Sequence, residues 1–469
     1  MATSSARARL LALSSAVLNL ILTALFLITM EGADLSVDLQ WIPSLGILFS
    51  LAADGISMIL VLLTNLMMPF IIGSMDSDQP QPPSFYGLLL FMQMALLGVF
   101  TAMDGFLFYL FWEMALIPIW FICLLWGGEN RARITLKFFL YTLTGSLLML
   151  VALIDVYLKT PATHSFQLAD LIAAGASLGE VEQGLIFWAL FLAFAIKIPV
   201  FPFHSWQPDT YSNAPTAGTM MLSSLMLKMG TYGLIRWLVP LVPTGVKMWG
   251  DVAILMAVTG VVYAAVLALT QKEFKRLLAY SSMSHVGLIA AGALTVSQTG
   301  IQGAMFQMFS HGLIVFGLFY VVHLITKRIP FRTLQDLGGL RHTAPRLATA
   351  FLLLLLGSIA LPLTSGFVGE FLLISALVNY NFWLGAMAGL SIILGAIYML
   401  RTFQVTMLGE ITPVAQPITD LSVKEQLILY PVIGLVLLLG VYPGPLLTMT
   451  ESVAHQIIVL SGNVTSLTP

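Results

Sequence analysis

The chain has 469 residues, of which 58% are hydrophobic and only 9% charged, with a formal net charge of −2. A soluble domain carries roughly 25% charged residues, and no soluble fold of this length covers itself with so few, so the composition is that of a polytopic membrane protein. The charge balance argues against nucleic-acid binding, and the single Cys123 excludes a disulfide framework, a cysteine iron–sulfur ligand set and a haem-attachment motif.

A spanning helix needs about 20 apolar residues. On that criterion thirteen spans are expected, near 8–30, 51–75, 84–103, 105–127, 134–158, 184–206, 215–241, 247–271, 274–295, 299–326, 348–379, 382–408 and 423–447. The first opens with two arginines, as a signal peptide does, but its apolar run is too long and no small-residue cleavage site follows. It is expected to be a retained helix. The polar links are mostly short, no β-barrel alternation competes, and neither a Walker A motif nor a Rossmann fingerprint is present.

Basic residues set the expected orientation. Arg7, Arg9, Arg131, Arg133, Lys272, Lys275, Arg276, Lys327, Arg328, Arg332, Arg341, Arg346 and Lys424 fall before the first span or after an even-numbered one. Arg236, Lys159 and Lys247 sit at or beyond the opposite ends. The positive-inside rule then puts the N-terminus in the cytoplasm and the C-terminus, whose tail "ESVAHQIIVLSGNVTSLTP" lacks Lys and Arg, outside.

Six ionisable residues stand out within these spans: Glu113 in the fourth, Lys197 in the sixth, Lys228 in the seventh, His285 in the ninth, His311 in the tenth and Glu370 in the eleventh. A charged side chain costs at least about 2.5–3.5 kcal/mol at a bilayer centre, so such residues normally face protein or water and mark a pathway. The plainer readings are a counter-ion for Glu113, interhelical hydrogen bonding for the two histidines, and local hydration for Glu370. Lys197 and Lys228 are too deep to snorkel. Asp54, Asp104, Lys137, Asp155 and Arg401 lie nearer span ends, where anchoring or capping is expected, and the 24 methionines and the Phe/Trp-rich fourth span read as packing or lipid-facing.

Helix breaks add a second pattern. Pro199 and Pro202 follow Lys197, and Pro362 with Gly366 precedes Glu370. Interrupted helices at matching places in two halves point to inverted repeats around a midplane site. Spans 3–7 and 8–12 are those halves; five is odd, so consecutive copies are inverted. The expected divisions are 1–83 (spans 1 and 2), 84–241 (first repeat), 247–408 (second repeat) and 409–469 (span 13 and tail). The fold class is thus an all-α polytopic membrane protein with broken spans 6 and 11.

"KIPVFPFHSWQPDTYSNAPTAG", "FKRLLAYSSMSHVGLIAAG", "FQMFSHGL", "FFLYTLTGSLLMLVALI" and "GFVGEF" resemble the antiporter-like membrane subunits of respiratory complex I, the proton-pumping NADH:quinone oxidoreductase. The likeness runs through nearly the whole chain in the family's order. Glu370, where L- and N-type relatives usually carry lysine, and the absence of a long lateral helix resemble the M-type. Two departures stand out: the family usually has fourteen spans and the first span here is similar to its second, and the usual "HxWLPDA" reads "HSWQPDT", with Gln207 and Thr210.

The resemblance implies a proton path through Glu113, Lys197, Lys228, His285, His311 and Glu370, with Glu370 as the terminal site. It implies no metal and no cofactor on this chain, with NADH, FMN, iron–sulfur clusters and quinone in partner subunits. The implied partners are L- and N-type neighbours in a bacterial inner membrane. A carboxylate approaching a buried lysine strengthens its hold on a proton, by roughly 4 kcal/mol at about 4 Å and an effective dielectric near 20. Opening and closing of a Glu113–Lys197 pair would therefore switch Lys197 between holding and releasing. Two other classes stay open: a subunit of a multi-subunit sodium/proton antiporter, and a non-conducting spacer in a membrane complex.

Overall fold

The computed structural model describes residues 2–29, 35–76, 81–161 and 164–462; the end of the first expected span at 30 and the tail beyond 462 lie outside them. The chain begins with helix α1 (Ala2–Thr29) and then a two-stranded antiparallel hairpin, β1 (Ser36–Ile42) and β2 (Ile47–Ala52). Val37, Leu39 and Trp41 alternate with Asp38 and Gln40 along β1, a period-two pattern that a span-length search passes over. Helices α2 (Gly55–Ser74), α3 (Pro83–Thr101), α4 (Gly105–Trp126), α5 (Arg131–Lys159), the short α6 (Leu168–Ala176), α7 (Glu180–Lys197) and α8 (Trp206–Asn213) follow.

The next segment is helical but irregular: α9 (Thr216–Met221), α10 (Leu227–Gly233) and α11 (Val239–Leu241) are joined by π-helical turns at Leu222–Met226 and Leu234–Leu238. Three long helices come after it, α12 (Pro243–Thr270), α13 (Phe274–Leu294) and α14 (Gln298–Arg328). The chain closes with α15 (Leu340–Thr343), α16 (Pro345–Ser358), α17 (Ser365–Tyr380), α18 (Phe382–Met407), α19 (Val423–Val441) and α20 (Gly444–Leu460). The expected C-terminal tail is therefore helical as far as Leu460.

Among the described residues, ten helices are long and apolar enough to cross a bilayer. The three expected spans that fail this test are the divided ones. Span 184–206 stops at Lys197, span 215–241 is cut by the π turns, and span 348–379 falls into α16 and α17. Length and hydropathy find unbroken helices, and a break removes a helix from that count.

Burial separates centre from periphery. The most apolar windows of α13 and α14 are 94% buried, whereas those of α1, α19 and α18 are 17%, 28% and 33% buried. The outer helices bear Leu and Ile side chains left free for lipid or neighbouring subunits, such as Leu10, Leu11, Ile393 and Leu438. The central pair and the irregular α9–α11 segment carry Lys228, His285 and His311.

Candidate proton path

Three of the residues near span ends, Asp54, Asp104 and Lys137, cap or anchor as expected. Asp54 caps α2 by accepting from Ser57 N, and Asp104 caps α4 by accepting from Phe106 N and Leu107 N while also taking Leu48 N of the hairpin at 3.1 Å. Lys137 reaches the loop after α7, with Nζ 2.7 Å from the Ser205 carbonyl and 3.0 Å from Asp209, which also pairs with Arg276 at 3.1 Å. A side chain whose partner was missed is Arg236, at the second π turn. It is 8% exposed and forms an ion pair with Asp54. Its signal in the sequence was a buried guanidinium position with no nearby acidic residue, which requires a distant partner.

Lys197 is the last residue of α7 and is 2% exposed. Pro199 and Pro202 lie in the turn that follows, and the Trp206 indole of α8 donates to the Ile196 carbonyl at 2.8 Å, folding the chain back over the broken end. Lys197 Nζ lies 5.5 Å from the centre of the Trp112 ring on α4, a cation–π arrangement. Glu113 is the next residue along α4. Its carboxylate is acted on by Ser146 and Lys197, yet neither Glu113 Oε1 nor Lys197 Nζ has a hydrogen-bond partner among the described residues. The two groups are thus neighbours without a closed ion pair.

Lys228 is placed by the first π turn. The Leu227 N–H bonds back to the Leu222 carbonyl, one residue beyond its α-helical partner, and the freed Ser223 carbonyl accepts from Lys228 Nζ at 2.6 Å. Gly230 lets α10 approach the end of α7: a Cβ there would lie 2.5 Å from Ile198 Cγ1 and 2.9 Å from the Phe194 carbonyl. The two lysine-bearing segments are thereby packed side by side.

From Lys228 two hydrogen-bonded groups, set end to end, cross the buried centre. Nζ is 2.9 Å from His311 Nδ1, and His311 Nε2 is 3.1 Å from Ser282 Oγ. A donating Lys228 makes Nδ1 the acceptor, so the proton of a neutral His311 sits on Nε2 and is donated to Ser282. The His311 and His285 rings are 6.0 Å apart, and His285 Nδ1 shares a 2.7 Å hydrogen bond with Glu370 Oε1. Glu370, 2% exposed, also accepts from Gln307 Nε2 at 3.4 Å. Gln307 and Ser282 are polar contributors that charge-based reading passed over. Gln307 was legible in principle, one turn before His311 on the same face of α14.

The second break covers 359–364, where Pro362 lies and where Ala360 and Leu363 adopt positive φ of 54° and 75°. Gly366 is not part of it. It is the second residue of α17, and a Cβ there would sit 2.0 Å from the Gly357 carbonyl of α16. Its role is close approach between the two half-helices, which no count of helix breakers distinguishes from a break.

Residues 102–395 match the family described as NADH:quinone oxidoreductase/Mrp antiporter, transmembrane. The NADH-quinone oxidoreductase subunit M of Rickettsia typhi is 37% identical over 456 residues, covering 96% of this chain and 92% of that protein. A chain of the respiratory complex I of Thermus thermophilus with bound NADH superposes with a TM-score of 0.90 at 31% identity, covering 98% of both chains. A chain of the Mrp complex from Dietzia superposes at 0.85 with 20% identity, a likeness of fold.

Proposed function

Because the chain belongs to the NADH:quinone oxidoreductase/Mrp antiporter transmembrane family, we propose that it is the M-type proton-translocating membrane subunit of an NADH:quinone oxidoreductase. The observation that carries this reading is the hydrogen-bonded row Lys228–His311–Ser282 and His285–Glu370 at the buried centre. Each member binds and releases one proton or passes one on, and all but the partly buried His285 are buried, so a change of charge at one end alters proton affinity at the next. Glu113 and Lys197 stand at one end of the row as a pair that opens and closes, and Glu370 is its terminal site.

Thirteen crossings, with Glu180–Asn213, Thr216–Leu241 and Pro345–Tyr380 each counted as one divided span, make two inverted repeats, 84–241 and 247–408, flanked by 1–83 and 409–469. The N-terminus faces the cytoplasm and the C-terminus the outside of a bacterial inner membrane. NADH, FMN, iron–sulfur clusters and quinone belong to partner subunits, and L- and N-type subunits flank this chain. Electron transfer in those partners supplies the energy, and this chain's residues hold and move protons.

The test is purification through a tag on this chain, followed by reconstitution in vesicles. Co-purification of iron–sulfur quinone reductase subunits, with NADH-driven proton uptake that Lys228→Ala abolishes in an assembled complex, is the expected result. Sodium uptake in place of proton uptake would replace the reading with that of a sodium/proton antiporter subunit.

A further inference from the structure

Resting on the proton-path reading, we infer that Tyr398 and Ser281 form a second proton access route, joining the basic side of the membrane to the His285–Glu370 pair.

A cavity of about 240 Å³ lies between the end of α12, the start of α13, the loop at 334–336 and the last turns of α18. Its mouth carries the exposed Lys272, Gln335 and Arg401, and its inner wall carries the buried Leu277, Tyr398 and Thr402. A cavity of this size with polar walls has room for several waters. Lys272 and Arg401 belong to the surface, where salt screens their charge, and the wall behind them is uncharged.

The cavity ends on Tyr398, which is 3% exposed and donates from its phenol to Ser281 Oγ at 3.0 Å. Ser281 is also 3% exposed and precedes His285 by one turn of α13, on the same face. Glu370 is near enough to act electrostatically on the Tyr398 phenol. His285 binds Glu370 through Nδ1, and its Nε2 is buried with no partner among the described residues. One phenol therefore touches the cavity on one side and the polar centre on the other, and a histidine nitrogen there still requires a hydrogen-bonding neighbour.

The mouth is held in place. The Asp336 carboxylate accepts from Thr333 N at 2.8 Å and Arg332 N at 2.9 Å, and Thr412 Oγ1 donates to the Asp336 carbonyl at 2.7 Å. Those amides hold the Asp336 carboxyl below its ordinary range, so the loop stays anchored at neutral pH.

Proton transfer along this route is a hop in which the two relays, Tyr398 and Ser281, end as they began. Tyr398 passes its proton to Ser281, Ser281 passes its own hydroxyl proton on towards His285, and water in the cavity returns a proton to the phenol. Tyr398 and Ser281 end neutral, the His285–Glu370 pair gains the one proton, the hydronium in the cavity that supplied it is left as water, and no redox partner is consumed. Tyr398 and Ser281 act here as relays, with the titrating work done by His285 and Glu370.

The experiment measures the initial rate of NADH-driven proton translocation by the whole complex in vesicles, with assembly quantified separately. Tyr398→Phe and Ser281→Ala are each expected to slow it at least about twofold, the double variant to be no slower than the slower single one, and Tyr398→His to recover part of the rate. A merely structural phenol would give neither the non-additivity nor the recovery. Wild-type rates for both single variants, in complexes that Lys228→Ala inactivates, would overturn this route and leave the proposed function standing. Full pumping by Lys228→Ala would overturn both. If Tyr398→Phe fails to assemble, Ser281→Ala, which removes one hydroxyl from a helix, decides alone.

Discussion

Glu113 and Lys197 are held close but not bonded, with Lys197 Nζ over the Trp112 ring. Trp112 offers the ammonium a weak, neutral alternative to the carboxylate, so a small shift of α4 against α7 changes what the lysine faces. Closing to about 4 Å is worth roughly 4 kcal/mol, or about three orders of magnitude in proton affinity. Glu113→Gln keeps the shape and removes that lever, so proton pumping per electron is expected to fall to a minor fraction while the complex still assembles; Glu113→Asp keeps part of it. Equal stoichiometry for Gln and Glu, measured in vesicles, removes the pair from the mechanism. Lys197→Arg is also expected to fail, because arginine keeps its proton at any relevant pH. All six ionisable positions were legible from the cost of charge in a bilayer. Their neutral neighbours Ser282, Ser281 and Tyr398 were not, since an uncharged polar residue in a span has no comparable energetic signature, and Gln307 could be found only from its place one turn before His311.

At the scale of elements, irregular backbone and ionisable side chain recur together. Lys197 ends α7, Lys228 follows a π turn, and Glu370 lies five residues after α17 begins. Prolines announced two of these sites. The π turn had no sequence mark, because Leu222–Met226 reads as ordinary helix and its extra residue is decided by packing against α14. The second break depends on α16 and α17 meeting closely at Gly366. Gly366→Ala puts a Cβ 2.0 Å from the Gly357 carbonyl, so the half-helices must separate at a cost of about 1–3 kcal/mol. The expected outcome is a lower thermal midpoint for this subunit in the complex together with slowed pumping. Gly389→Ala on α18, where a Cβ meets nothing within 4 Å, is the control and leaves both unchanged. If the two variants behave alike, close approach is not what Gly366 provides.

For the whole molecule, charge distribution and the number of crossings make one joint statement. The proposed thirteen crossings, an odd number, would put the termini on opposite sides, with the basic residues on the side of the N-terminus. A fluorescent protein fused at the N-terminus is expected to fold and fluoresce in the cytoplasm, and alkaline phosphatase fused after residue 469 to be active outside. Both reporters on the same side would mean that one divided segment does not cross. Membrane residence and helical class were determined by the sequence alone, and the proposed basic side and six proton-path positions were read from it too, because each follows from free energies that belong to single residues or single segments: burying charge, spanning about 30 Å of hydrocarbon, and the loss of backbone bonding at proline. The pairing of Lys228 with His311 and of His285 with Glu370, the unbonded approach of Glu113 and Lys197, the Asp54–Arg236 ion pair and the cavity ending on Tyr398 join residues distant along the chain, 83, 85 and 182 positions apart in the three bonded pairs. Only the tertiary structure decided these, since hydrogen bonds and ion pairs depend on distances of a few ångströms that packing of whole helices sets, and no local free energy specifies which distant partner arrives.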